Sequence, residues 1–265
     1  MSARDFAGNG FEKSGANDLL KPGARSEQKF VQKHLTVRRP ARNFPAMKFI
    51  ATIFICLAAF LGNAQEAGTP ASHAELFNGK DFTGWTFYMR SNAAPEKTWS
   101  ISDGMVHCTG KPTGYMRTLQ TYGNYIVTAE WRFPTNVAKA VNTGVCVFMQ
   151  DRDPNASPRD IWGHCIECQG MHGHMGDFWL HGGATVNEPV NMGKTGIKML
   201  QPSNESPVGE WTTFQCICRS NTVEIIVNGK SMNKVTGSNL SSGYIGIQSE
   251  GGPFDLHKVS LEPLN

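Results

Sequence analysis

The segment YIVTAEWRF, residues 125–133, alternates apolar and polar side chains along its whole length. Its large apolar members all fall on one side of an extended chain: Tyr125, Val127, Ala129, Trp131 and Phe133. Successive side chains of a β-strand point to opposite faces of the sheet. The segment therefore predicts a strand with one face in a hydrophobic core and the other face outside it.

Five further segments are short and rich in β-branched or aromatic residues: 144–150, 161–169, 213–219, 223–228 and 244–248. Gly, Pro and Asn separate them, and Asn228-Gly229 is a strong signal for a tight hairpin turn. No long amphipathic helical pattern occurs after residue 64. Many short strands with turns between them predict an all-β fold, a jelly-roll β-sandwich of two antiparallel sheets.

Residues 47–64 have the features of a secretory signal peptide. Lys48 gives a basic start, residues 49–61 are apolar, and Gly62 and Ala64 place small side chains before a cleavage point. The apolar run is shorter than the roughly 20 residues that a membrane span needs. We expect residues 65–265 to be one exported domain, periplasmic or extracellular, without membrane attachment after cleavage.

Residues 1–46 show no sustained periodicity. We expect them to be an artefact upstream of the true start at Met47, or a disordered leader. The alternative is a long basic leader with a twin-arginine element at Arg38-Arg39, although Pro45 lies between this pair and the apolar run.

The charge of the chain changes sign when the leader is left out. The whole sequence has 25 basic and 22 acidic residues, and residues 1–64 hold 10 and 4 of them, which leaves 15 basic and 18 acidic. The predicted domain therefore carries a charge near −3. This balance gives no indication of a nucleic-acid partner.

Residues 161–183, IWGHCIECQGMHGHMGDFWLHGG, concentrate four of the eight histidines with one Glu, one Asp and two Trp. Polar groups like these are costly to bury unless they are hydrogen-bonded, so the segment predicts the wall of a site. Strand alternation places Glu167 and Gln169 together on an outer face, which suits the vicinal hydroxyls of a sugar. Gln248 and Glu250 point together in the same way.

The histidines of this segment have more than one interpretation. His172, His174 and His181, with Asp177, offer general-base chemistry or metal ligands. Their spacing matches no known metal motif, and a structural hydrogen-bonding role is equally open for each. A divalent metal bound by His172 and His174 is the one cofactor that the pattern suggests.

Four other polar or aromatic positions are candidates for binding. Arg117 in GYMRT suits an anion or a carbonyl oxygen, or else it is a surface charge. Asn142 precedes a strand, and Glu130 could pair with Arg132 on a solvated face. Trp179 could stack on a sugar ring or fill the core. The chain contains no nucleophile elbow, phosphate loop, dinucleotide fingerprint or calcium loop.

Taken together and in this order, several motifs resemble the 3-keto-disaccharide hydrolase family: LFNGKDFTGW (76–85), WSISDGMV (99–106), GYMRT with YGNYIVTAEWRF (114–133), NTGVCVF (142–148), IECQ with GDFWLHGG (166–183), VGEWTTFQCICRSNTVEIIVNGK (208–230) and IGIQSEGGPFDLHKV (245–259). The resemblance covers residues 75–264. It implies a concanavalin-like jelly roll, exported from the cell, that acts on oligosaccharides or other glycosides oxidised at C3.

The resemblance also implies a mechanism. A 3-keto group acidifies the proton on C2, so a base can remove it and the C1 substituent can leave by elimination, or by net hydrolysis. The candidates for the base are Glu167 and one of His172, His174 and His181, while Arg117 or a metal stabilises the enolate. The residues implied in substrate binding are Gln169, Asn142, Glu130, Asp177, Trp179, Gln248 and Glu250.

Two other functions fit a jelly roll. A non-catalytic carbohydrate-binding module has the same fold, since fold does not fix function. An ordinary glycosidase needs two opposed carboxylates, and IECQ supplies one.

The His172-Gly173-His174 insert departs from the family pattern, and so do His257 and Lys258. The insert leaves the choice of substrate open.

Overall fold

A computed structural model describes residues 70–136, 141–155 and 161–264. The signal peptide predicted at 47–64 and the leader predicted at 1–46 lie outside these ranges. Within the described part of the chain, no helix is both long and apolar enough to cross a membrane.

The described residues form β-strands, with two short 3-10 helices at Arg90–Asn92 and Pro95–Lys97. The strands are β1 (Ala74–Glu75), β2 (Trp85–Met89), β3 (Trp99–Ser102), β4 (Met105–Cys108), β5 (Gly114–Thr118), β6 (Tyr125–Arg132), β7 (Gly144–Met149), β8 (Cys165–Gln169), β9 (Phe178–His181), β10 (Gly196–Ile197), β11 (Thr212–Arg219), β12 (Thr222–Val227), β13 (Lys230–Val235), β14 (Tyr244–Ser249) and β15 (Phe254–Pro263).

The strands make two antiparallel sheets. One has eight strands in the order β13-β12-β11-β6-β15-β4-β3, with β1 also paired to β15, and the other has seven in the order β10-β9-β8-β7-β14-β5-β2. The predicted fold class, a concanavalin-like jelly-roll β-sandwich, is confirmed. The alternating segment that predicted it is β6, which lies inside the eight-stranded sheet between β11 and β15.

Aromatic side chains fill the space between the two sheets. Trp131 and Phe214 are fully buried, with ring centroids 4.8 Å apart. Tyr125 of the eight-stranded sheet meets Phe148 of the other sheet at 6.2 Å. Burial of one such side chain contributes roughly 1.5–3 kcal/mol. The core therefore holds the sheets together and leaves both outer faces for other roles.

One predicted strand boundary is wrong. The strand expected over 161–169 begins only at Cys165, because Gly163 adopts a φ of 69° that extended chain cannot continue through. The tight turn predicted at Asn228-Gly229 is confirmed. Both residues have positive φ, 46° and 77°, and they join β12 to β13.

Candidate active site

The outer face of the seven-stranded sheet, called the site face below, carries most of the candidate residues. Ile166 and Cys168 of β8 pack in the core, so Glu167 and Gln169 point outward as predicted. The same alternation on the neighbouring strands turns these side chains to the site face: Tyr88, Tyr115, Arg117, Cys146, Trp179, His181, Tyr244 and Gln248.

Strand register places five positions of the site face in one row. Trp179 lies opposite Glu167, Glu167 opposite Cys146, Cys146 opposite Gly246, and Gly246 opposite Arg117. Neighbouring strands lie about 4.8 Å apart, so Glu167 and Arg117, three strands apart, have Cα atoms about 14 Å from each other. Cys146 and Gly246 lie between them, and the Met149 side chain reaches over Gly246. This row, from Trp179 to Arg117, is called the trough below.

Glu167 and His181 form a carboxylate–imidazole pair at one side of the trough. His181 Nε2 donates to Glu167 Oε2 over 2.6 Å. The Glu167 side chain is 4% exposed and the His181 side chain is 19% exposed. Because the carboxylate binds Nε2–H, the lone pair of the neutral imidazole lies on Nδ1. The more exposed imidazole can reach a ligand, and the buried carboxylate holds its orientation and tautomer.

Glu250 provides a second carboxyl group on the same side of the sheet. Burial raises its pKa above the ordinary value, and the charge of Glu167 raises it further, while His181 and Arg90 act in the opposite direction. Asn142 Nδ2 donates to Glu250 Oε2 over 2.9 Å. Glu250 therefore keeps its proton to a higher pH than an ordinary glutamate, as a general acid must.

Two buried amides carry polar atoms that lack partners. Gln248 is fully buried, and neither its Nε2 nor its Oε1 has a hydrogen-bond partner among the described residues. Its Oε1 lies above Gly144, where an added Cβ would approach it to 2.7 Å. Asn142 Oδ1 is buried and also lacks a described partner. Because unpaired buried polar groups are costly, these atoms are candidates to bind hydroxyl or carbonyl groups of a ligand.

Gln169 and Trp179 flank the trough. The Gln169 Oε1 atom accepts a hydrogen bond from Met171 N–H over 3.0 Å, so this side chain also orders the loop after β8. The Trp179 ring packs against the first residue of β10, where a Cβ added to Gly196 would meet it at 3.1 Å. Trp179 thus forms a wall beside Glu167.

Arg117 is held in place on the far side of the trough. Its Nη2 donates to Asp151 Oδ1 over 2.8 Å, and its guanidinium lies 3.9 Å from the centroid of the Tyr244 ring. The side chain is 19% exposed. Arg117 is therefore an oriented cation of the site face.

The structure does not bring every predicted residue to the site face. The His174 Nδ1 atom lies 3.1 Å from Asp177 Oδ2, and Asp177 Oδ1 accepts from Met199 N–H over 2.7 Å. The His172 Nδ1 atom lies 3.2 Å from Glu205 Oε2. Within the described ranges no group of three or more His, Cys, Asp or Glu residues is placed to share a metal ion. Asp177 therefore connects the loop before β9 to Met199, which follows β10. A metal at His172 and His174 stays a prediction.

Glu130 lies on the other sheet. It belongs to β6, where it points away from the core, and its Oε2 atom lies 2.7 Å from His257 Nε2. The expected pair between Glu130 and Arg132 is wrong, because Arg132 binds Asp255 over 2.9 Å instead. Alternation correctly predicted that Glu130 lies on an outer face, but it could not predict to which of the two sheets that face belongs.

A series of aromatic rings crosses the site face, and sequence reasoning did not predict its order. The ring centroids of His181 and Trp162 are 6.2 Å apart, those of Trp162 and Tyr115 are 6.1 Å apart, and those of Tyr115 and Tyr88 are 5.5 Å apart. The alternation of GYMRT places Tyr115 and Arg117 on one face and could have indicated Tyr115. Nothing local to the sequence places Trp162 between two strands.

Residues 72–262 match the family described as the 3-keto-alpha-glucoside-1,2-lyase-like domain. The chain belongs to this family. The resemblance to the 3-keto-disaccharide hydrolase family is thereby confirmed, and the family indicates a carbohydrate-related function. A comparison with curated proteins finds no match.

One solved structure shows the same fold, and a second gives a lower TM-score. A candidate glycosyl hydrolase from Parabacteroides distasonis ATCC 8503 is 20% identical, with a TM-score of 0.53 over 73% of this chain and 95% of that chain. The carbohydrate-binding module CBM66 from Bacillus subtilis is 10% identical, with a TM-score of 0.48 over 68% of this chain and 95% of that one.

Proposed function

We propose that this protein cleaves 3-keto-glycosides at C1, in a reaction that begins with removal of the C2 proton. The observation that carries the proposal is the 2.6 Å contact between His181 and Glu167 on the site face, in which the imidazole is the more exposed partner. A mechanism of this kind needs one well-oriented base, whereas ordinary glycoside hydrolysis needs two carboxylates that flank the bond.

The first step transfers the C2 proton to His181 Nδ1. The 3-keto group makes this proton acidic, because the electron pair of the C2–H bond can move to the C3 oxygen as an enolate. Glu167 stabilises the imidazolium that forms, since it holds the proton on Nε2. The Gln248 Nε2–H group is our candidate donor to the enolate oxygen, since it has no described partner.

The second step breaks the bond between C1 and the leaving oxygen. The enolate electron pair forms a C1–C2 double bond, and the electrons of the broken bond go to the leaving oxygen, which takes a proton from Glu250. The raised pKa of Glu250 suits this role. Addition of water across the new double bond, with oxygen at C1, gives net hydrolysis. Asn142 orients Glu250 through the contact at 2.9 Å.

Arg117 has a different role in this proposal from the one that the family resemblance implies. It lies across the trough from Glu167, with its guanidinium held by Asp151 and Tyr244. This position suits a contact with the leaving group. Gln169 and Trp179 flank the sugar ring on the opposite side.

The proposal is tested with a 3-keto-glucoside and its unoxidised parent, each incubated with the purified protein and followed by mass spectrometry. We expect turnover of the keto sugar alone. Turnover of the parent glucoside would contradict the proposal. If neither sugar reacts but one of them binds, the protein is a carbohydrate-binding module. A parallel reaction with a chelator tests the predicted metal at His172 and His174, because only metal-dependent turnover would be lost.

We also propose that the protein is exported. The support is the signal-like segment 47–64 together with a family that acts on carbohydrates. Expression of the full chain in a bacterial host, followed by N-terminal sequencing of the exported protein, tests this. We expect a new N-terminus at Gln65, and protein that stays uncleaved in the cytoplasm would contradict it.

A further inference from the structure

We propose that Ser102, His107 and Asp255 form a second reactive site, at which the Ser102 hydroxyl accepts the acyl group of an activated ester. This site, called the serine site below, lies on the outer face of the eight-stranded sheet. The Glu167–His181 pair lies on the seven-stranded sheet, so the inference does not depend on the proposed function.

Strand pairing brings the three side chains of the serine site together. In β4, Val106 and Cys108 pack in the core, so His107 points outward. Asp255 of β15 lies directly opposite His107. Ser102 is the last residue of β3, which pairs with β4 on its other side. Three adjacent strands therefore hold the three side chains on one face of the sheet.

Hydrogen bonds connect the three side chains in series. The His107 Nδ1 atom lies 2.7 Å from Asp255 Oδ1, and the His107 Nε2 atom lies 2.9 Å from Ser102 Oγ. A carboxylate only accepts hydrogen bonds, so the neutral imidazole carries its proton on Nδ1 and its lone pair on Nε2. The Ser102 hydroxyl therefore donates to Nε2. In this arrangement an imidazole can take the proton of a hydroxyl nucleophile.

Arg132 fixes the position of Asp255. Its Nε and Nη2 atoms each lie 2.9 Å from Asp255 Oδ2, and its guanidinium lies 4.7 Å from the centroid of the Trp211 ring. Asp255 thus uses one oxygen for Arg132 and the other for His107. A carboxylate held in this way keeps the imidazole in one orientation and one tautomer.

The exposure of the three side chains increases from the acid to the nucleophile. The Asp255 side chain is 18% exposed, the His107 side chain is 33% exposed, and Ser102 is an exposed residue. Asp103 and Gly104 follow as an exposed turn, with φ values of 50° and 74°. An ester carbonyl can therefore approach Ser102 Oγ from the solvent.

The reaction needs only an ester and water. Ser102 Oγ attacks the carbonyl carbon of the ester, and its proton moves to His107 Nε2. The bond from that carbon to the leaving oxygen breaks, and the leaving oxygen keeps the electron pair and takes the proton from Nε2. Water then attacks the acyl group in the same way, which gives a free acid and restores the serine.

The surroundings of the serine site decide which esters it can use. The Ser102 backbone oxygen lies 3.3 Å from His107 Nε2, so it can accept a hydrogen bond from the imidazolium while Oγ is bound to the acyl group. The site is open to solvent, and water weakens the electrostatic stabilisation of a transition state. We therefore expect it to react with aryl esters, whose phenolate leaving groups need little assistance.

The test incubates the full-length protein with 4-nitrophenyl acetate. Absorbance follows the release of 4-nitrophenol, and mass spectrometry with peptide fragmentation locates acetyl groups. We expect acetyl on Ser102 or repeated turnover, and Ser102→Ala should abolish both. General base catalysis contributes roughly 10²- to 10⁴-fold, so His107→Gln should slow the reaction at Ser102 by about 100-fold or more.

Ser100→Ala is the matched control. Ser100 is also exposed and lies directly opposite His107 on β3, but among the contacts of the described residues its hydroxyl makes no hydrogen bond to the imidazole. This variant should react at the wild-type rate. Acetylation of exposed lysines in the same digests should be equal in every variant, and urea unfolding should show that each variant is folded.

Two results would overturn the proposal. One is a wild-type protein that carries no acetyl group on Ser102 and releases 4-nitrophenol no faster than Ser102→Ala does. The other is acetylation of Ser102 at an unchanged rate in His107→Gln, since the serine would then react without help from the imidazole.

Discussion

Replacement of Glu167 by Gln tests the base most sharply. The two side chains have the same shape, so the main changes are the loss of one charge and of the acceptor that fixes the His181 tautomer. The native contact is 2.6 Å long and the Glu167 side chain is 4% exposed, so little solvent screens it. A glutamine that donates to Nε2 would force the proton onto Nδ1, the atom that must take the C2 proton.

General base catalysis contributes roughly 10²- to 10⁴-fold, so kcat for a 3-keto-glucoside should fall by this factor in Glu167→Gln. At 1.36 kcal/mol per factor of ten, the barrier rises by about 3–5 kcal/mol. The free energy of unfolding, measured with urea, should change by no more than about 1 kcal/mol, because a neutral amide can keep one hydrogen bond at this site.

Glu130→Gln is the matched control, because Glu130 also contacts a histidine, at 2.7 Å, but on the opposite sheet. Turnover should be unchanged in this variant. If Glu167→Gln retains wild-type turnover, or if both variants lose the same amount, the Glu167–His181 pair is not the base.

The pH profile of Glu167→Gln gives a second readout. Loss of the Glu167 charge removes one cause of the raised Glu250 pKa. The fall in turnover at high pH, where Glu250 loses its proton, should therefore move to lower pH.

Three further variants test other parts of the account. Glu250→Gln should slow an alkyl 3-keto-glycoside about 100-fold and a 4-nitrophenyl one much less, because a good leaving group needs no proton. The fall in wild-type activity as pH rises through the raised Glu250 pKa should disappear in the same variant, as steady-state rates would show. Gly144→Ala places a Cβ 2.7 Å from Gln248 Oε1, so KM should rise at a stability cost of about 1–3 kcal/mol, measured by kinetics and urea unfolding. Trp131→Ala removes a fully buried ring and should lower the free energy of unfolding by about 3–5 kcal/mol in a urea titration.

The fold followed from local patterns. The period-two alternation of residues 125–133 gave a strand and its core face, and Asn228-Gly229 gave a hairpin, because both depend on neighbouring residues alone. The outward direction of Glu167 and Gln169 followed from the same alternation. The start of β8 did not, since the φ of Gly163 depends on how the preceding segment packs.

The arrangement of the site depended on pairings that are distant in sequence. The strand β14 lies between β7 and β5, and this order places Gly246 between Cys146 and Arg117. No local pattern encodes that order, so the row from Trp179 to Arg117 could not be predicted. The choice of His181 over His172 and His174 had the same origin. It follows from the pairing of β8 with β9, while the other two histidines belong to the loop that joins these strands.

The most direct test of the account follows the hydrogen at C2 of the substrate. A 3-keto-glucoside with deuterium at C2 is compared with the undeuterated compound, and the products are analysed for solvent hydrogen at this carbon. Removal of the C2 proton by the Glu167–His181 pair predicts slower turnover of the deuterated substrate or exchange of its label with water. Equal rates with full retention of deuterium in the product would contradict elimination through C2.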